Sequence, residues 1–123
     1  MNRYDPAQAP DPAAWLDQDE QERITLVEQY HHRARVDLPN LTLHAAMHVV
    51  AENQLALHDE PVVRALARLM KEGLTRHDAV HAIGSVVAEQ LYDVLKLGDT
   101  PEVSRARYYA AIERLTAAVW RDG

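Results

Sequence analysis

Residues 40–57 read NLTLHAAMHVVAENQLAL. Asn40 is a good N-cap, and no proline or glycine interrupts the stretch that follows, so the spacing predicts one helix to about Leu57. Advancing about 100° per residue puts His44, His48 and Glu52 within an arc of about 80°, together with Leu41, Ala45 and Leu55. The remaining circumference is largely apolar as well, with Ala46, Met47, Val49, Val50, Ala56 and Leu57, and only Thr42, Asn53 and Gln54 suit water. A helix that is apolar nearly all round lies at the centre of its fold, so the polar stripe faces inward. Burying an unpartnered carboxylate or imidazolium costs several kcal/mol. The stripe therefore needs a partner: a metal ion, another charged residue, or a shifted protonation state.

Outward from this helix the start and stop signals repeat. Ile24, Val27, Tyr30 and Ala34 recur at helical spacing from about Asp19 to Val36, until Leu38-Pro39 ends the run. Pro61 at a first helical position and Gly73 bound a shorter helix reaching Lys71. Thr75 with Asp78 resembles a capping box opening a helix to about Leu97, before Gly98. Thr100-Pro101-Glu102 opens a last helix running to about Trp120. No segment alternates as a strand does, and the connections are short. The expected fold is all-α, an antiparallel bundle of about five helices in a single domain over residues 15–123. Residues 1–14 hold three of the six prolines and read as a mobile N-terminal arm, with Pro12 opening a short helical turn.

Composition removes several function classes. Cysteine is absent, which excludes disulfides, thiolate metal ligands and a cysteine nucleophile, and fits a reducing compartment. A formal charge of −6 argues against a phosphate-backbone partner, and no apolar run reaches membrane-spanning length. A cytoplasmic protein that binds neither nucleic acid nor membrane is expected. No glycine-rich phosphate loop or nucleophile elbow is present, and the sequence singles out no catalytic residue.

The helix from Thr75 carries a second i, i+4 pair, His77 and His81, on a face with the small residues Gly84 and Ala88. Glu89 lies about 80° around from His81, where the ligand and surface readings are evenly matched. The first long helix offers Glu28-x-x-His31, the carboxylate–histidine pair that di-iron and di-manganese bundles use. His31 falls on the apolar face and His32 points to water. Tyr92 is placed to pack beside His81 or donate a hydrogen bond to the site. The candidate metal ligands are thus Glu28, His31, His44, His48, Glu52, His77, His81 and Glu89.

In order and spacing, Glu28-x-Tyr30-His31, Asn40, Leu43-His44-x-x-Met47-His48, Glu52, Gln54, His77-x-x-x-His81 and Glu89 resemble the small bacterial helical family known as domain of unknown function 1841. The resemblance covers residues 28–92 and implies that these residues form one set, without implying a reaction. The chain departs from the family pattern at Ser85, where a glutamate is expected four residues after the second histidine.

Nitrogen and oxygen donors without sulfur suit iron, manganese, zinc, nickel or copper, with iron, manganese or zinc the first expectations. The ligand count allows a dinuclear centre bridged by Glu52, and also a single site built on the four paired histidines. With open coordination positions, oxidoreductase or hydrolase chemistry would follow. Two other readings stand beside it. One is a non-enzymatic interaction module, homo-oligomeric through Ala106, Ala110, Ala117 and Ala118, whose histidines are a polar core. The other is a metal sensor or carrier using His58 and the N-terminal arm.

Overall fold

In the computed structural model, which describes residues 1–35 and 38–122, every regular element is an α-helix. They are α1 (Pro12–Leu16), α2 (Glu20–Arg33), α3 (Leu41–Ala56), α4 (Glu60–Lys71), α5 (Arg76–Leu97), α6 (Pro101–Arg114) and α7 (Ala117–Asp122). The all-α bundle expected from the sequence is therefore observed. Val36, where the first long helix was expected to end, and Gly123 lie outside the described residues.

Two caps follow the side chains that predicted them: Asn40 accepts from the Leu43 amide at 3.0 Å, and Thr75 accepts from the Asp78 amide at 3.1 Å. At α2, Asp19 and Glu22 form a reciprocal capping box. Gly98 ends α5 with φ +67°, a left-handed conformation that costs glycine no Cβ clash.

Register fixes direction. Along α3 and α5, His44 meets His81, Met47 meets Gly84 and Glu52 meets Arg76, so the two helices run antiparallel. Arg23 reaches Asn53 while His31 packs on His44, so α2 and α3 are antiparallel too. α4 and α6, two elements apart, run parallel: Asp59 pairs with Tyr109, Arg64 with Glu113, and Arg68 with the Leu115 carbonyl. That alternation is what an up-and-down order requires.

Two apolar clusters support the bundle. One gathers Val62, Leu69, Val80, Ile83 and Ile112 from α4, α5 and α6; the other gathers Trp15, Leu26, Val27, Ala45 and Val49 from α1, α2 and α3. The second also takes in Tyr4, so residues 1–14, read from the sequence as an arm, contribute a side chain to the core. Tyr4 is 1% exposed and its ring lies 5.6 Å from that of Trp15. Arg33 donates to the Tyr4 carbonyl and Arg76 to the Pro6 carbonyl, both at 3.0 Å. One aromatic side chain and two backbone carbonyls suffice to anchor a proline-rich segment.

The last predicted helix is divided. Leu115 adopts extended backbone (ψ 128°), and Thr116 starts α7 by accepting from the Val119 amide at 3.1 Å. Side chains of the α4 region hold the break: Arg68 donates to the carbonyls of Ile112 and Leu115, and Glu72 accepts from the Ala117 amide. The groups freed by the break are thus satisfied from another helix.

Candidate metal centre

Each long helix at the centre turns one polar stripe toward the same point. α2 brings His31, α3 brings His44 and His48, and α5 brings His81, and one ring nitrogen from each lies within 4.8 Å of all the others. His44 Nε2 stands 3.1 Å from His81 Nε2, and the His31 ring centroid is 4.8 Å from that of His44 and 5.3 Å from that of His48. His31 and His48 are buried; His44 and His81 are half-buried.

The tautomers of the two buried rings follow from their partners. His31 Nδ1 lies 2.8 Å from the Val27 carbonyl, which can only accept, so Nδ1 carries the hydrogen. For His48 the partner is Tyr4, whose hydroxyl lies 2.5 Å from Glu52 Oε2 and 3.2 Å from His48 Nδ1. The single phenolic hydrogen goes to the carboxylate, so His48 Nδ1–H donates to the Tyr4 oxygen. In the neutral form of either ring Nε2 is a bare lone pair, and both Nε2 atoms are buried without a hydrogen-bond partner. An outer nitrogen tied down and an inner nitrogen left free is how metal-ligating histidines are held.

Electrostatics keep the rings available. Burial, reinforced by the neighbouring imidazoles, lowers the His48 pKa to about 2 and the His81 pKa to about 3. His44 and His77 are shifted down as well, burial being the largest cause in each. At neutral pH these four imidazoles are uncharged, the form that coordinates a metal.

The remaining sequence candidates divide. His77 Nε2 is 3.1 Å from His81 Nε2, but the ring also packs against Tyr30 at 5.4 Å and stands outside the tight set of four. Glu52 is buried, but it is occupied: Arg76 donates to its Oε1 at 2.7 Å and its Oε2 at 2.9 Å, a bidentate pair. The partner that a buried Glu52 required is therefore Arg76, with Tyr4 as a second donor. Glu28 accepts from the Thr42 hydroxyl at 2.9 Å, and Glu89 is exposed. Among the described residues no carboxylate belongs to the histidine cluster. His32 is exposed, as its place on the helix predicted. Tyr92 is 60% exposed with Lys96 over its ring at 5.5 Å, a surface contact instead of the hydrogen bond to the site that its position suggested.

No protein-family model, curated protein or solved structure matches this chain. Among the described residues no helix is long and apolar enough to cross a membrane.

Tyr4 and Arg76 are the two residues beside the histidine cluster that sequence reasoning missed. Tyr4 had one signal, an aromatic residue within an otherwise proline-rich polar segment. Arg76 had none, because its pairing with Glu52 depends on the register of α5 against α3.

Proposed function

We propose that this protein binds one transition-metal ion through His31, His44, His48 and His81. The observation that carries the reading is the convergence of ring nitrogens from four histidines on three helices, two of these rings having a buried Nε2 with no hydrogen-bond partner. Leaving a buried polar atom unpaired costs about 1–3 kcal/mol, so an unpaired nitrogen on each of two clustered rings asks for a partner. Two nitrogens on one ion at about 2.0–2.1 Å stand about 3.3 Å apart at a tetrahedral angle. The His44–His81 separation of 3.1 Å is close to that spacing.

One ion is favoured over two. A carboxylate-bridged dinuclear centre would need a free glutamate, whereas Glu52 is taken by Arg76, Glu28 by Thr42, and Glu89 faces solvent. An all-imidazole set suits zinc, copper, nickel or iron better than the harder manganese. The resemblance to the domain of unknown function 1841 family fits a histidine set acting together, and the serine at position 85 fits a site with one carboxylate fewer.

Elemental analysis after expression in metal-supplemented medium tests the proposal. About one equivalent is expected, and less than about 0.2 equivalents would sink it. His48→Ala and His81→Ala should each lose most of the metal, while His32→Ala keeps it; equal losses at His32 and His48 would refute the assignment of faces.

A further inference from the structure

Three of the four clustered rings, those of His44, His48 and His81, also line a cleft between α3 and α5 with a volume of about 410 Å³. The cleft exists because α5 presents Gly84, Ser85 and Ala88 where larger side chains would close it. At Gly84 a Cβ would sit 3.5 Å from the Met47 Cβ, so the helices are already in contact at its floor. Its walls include Leu43, Met47, Val80 and Trp120. Of the described residues lining it, none is Asp, Glu, Lys or Arg, in a chain where these make up 26% of residues. Apart from the imidazoles, Asn40 and the Ser85 hydroxyl supply the polar side chains, and Ser85 already donates to the His81 carbonyl at 3.0 Å.

An apolar cavity of a few hundred Å³ with a few polar groups at one end is the usual form of a small-molecule site. We infer that this cleft binds a small uncharged molecule with an apolar body, whose single Lewis-basic end adds to the metal as a fifth ligand on the side of His44 and His81. The inference rests on the proposed metal site and adds the chemistry of what approaches it. A charged ligand would leave its hydration shell without a counter-charge among the described wall residues, and a wholly polar one would gain nothing from Leu43, Met47 and Val80. His31 does not line the cleft, so the ion would be held from within and approached from the α3–α5 side.

Cobalt(II)-loaded protein, titrated with imidazole and separately with 4-phenylimidazole, tests this through the cobalt absorption bands. The two probes share the ligating end and differ by an apolar ring, so 4-phenylimidazole should bind at least about tenfold more tightly. Ala88→Trp, which fills the cleft from an exposed position, and Leu43→Gln, which makes its wall polar, should each bring the two affinities together. Cobalt content measured on the same samples reports separately on the histidine cluster. Equal affinities in the unsubstituted protein with cobalt bound would overturn the cleft inference and leave the metal site standing. A preference that survives both substitutions would also overturn it, and failure to take up cobalt would overturn both.

Discussion

At the scale of single residues, the chain from Arg76 through Glu52 and Tyr4 to His48 decides how the His48 ring is held. Each link has one chemically allowed direction, ending in a His48 ring whose inner nitrogen is free. Tyr4→Phe removes the acceptor for His48 Nδ1–H without changing the ring that packs on Trp15. Metal affinity should fall about 10–100-fold with helicity retained, measured by competition against a chromophoric chelator. Unchanged affinity would mean that the hydroxyl does not orient His48. Glu52→Gln separates pairing from ligation. It leaves the Arg76 charge buried against a neutral amide and should cost about 3 kcal/mol in urea unfolding. Metal content per folded molecule should stay near that of the unsubstituted protein, whereas a ligand role for Glu52 would empty the site.

At the scale of elements, the helices divide into those that carry the histidine cluster and those that support them. α2, α3 and α5 bring the rings together, while α4, α6 and α7 cover the other apolar cluster. The break between α6 and α7 shows how an element boundary can depend on a distant side chain. Leu115-Thr116 contains neither glycine nor proline, and Arg68 from α4 takes up the carbonyls left open there. Arg68→Ala should therefore destabilise the protein by about 2 kcal/mol, seen as a lower urea midpoint, through loss of charge-assisted hydrogen bonds to Ile112 and Leu115. No change in midpoint would mean that the local Thr116 cap holds the break by itself.

For the whole molecule, the buried imidazoles tie stability to pH. The His48 pKa falls from 6.5 in the unfolded chain to about 2 in the folded one. Below pH 6.5 the unfolded chain takes up a proton that the folded chain refuses, so the stabilisation present above 6.5 is progressively lost as pH falls toward about 2. From this group the slope is up to about 1.4 kcal/mol per pH unit. His81 acts in the same direction. Metal-free protein should therefore have a markedly lower urea midpoint at pH 5 than at pH 7, and a flat profile would mean that the rings are solvated. Bound metal should raise the midpoint at pH 7, because it adds affinity to the folded state alone.

Sequence by itself determined the helices apart from the break between α6 and α7, several of their caps and the inward face of α3. These depend on periodicity and on side chains within a few residues of one another. It also determined which histidines point inward, since His31 and His32 differ by about 100° on the same helix. Tertiary structure decided what the carboxylates do. Whether Glu52 meets a metal or Arg76 depends on how α5 slides along α3, and no local pattern encodes that register. It likewise decided that Tyr4 belongs to the core, because one buried aromatic residue can anchor a segment whose average composition is that of a loose end. Only once the three helices pack do His31, His44, His48 and His81 bring four nitrogens around one point, because convergence is a property of distances between elements.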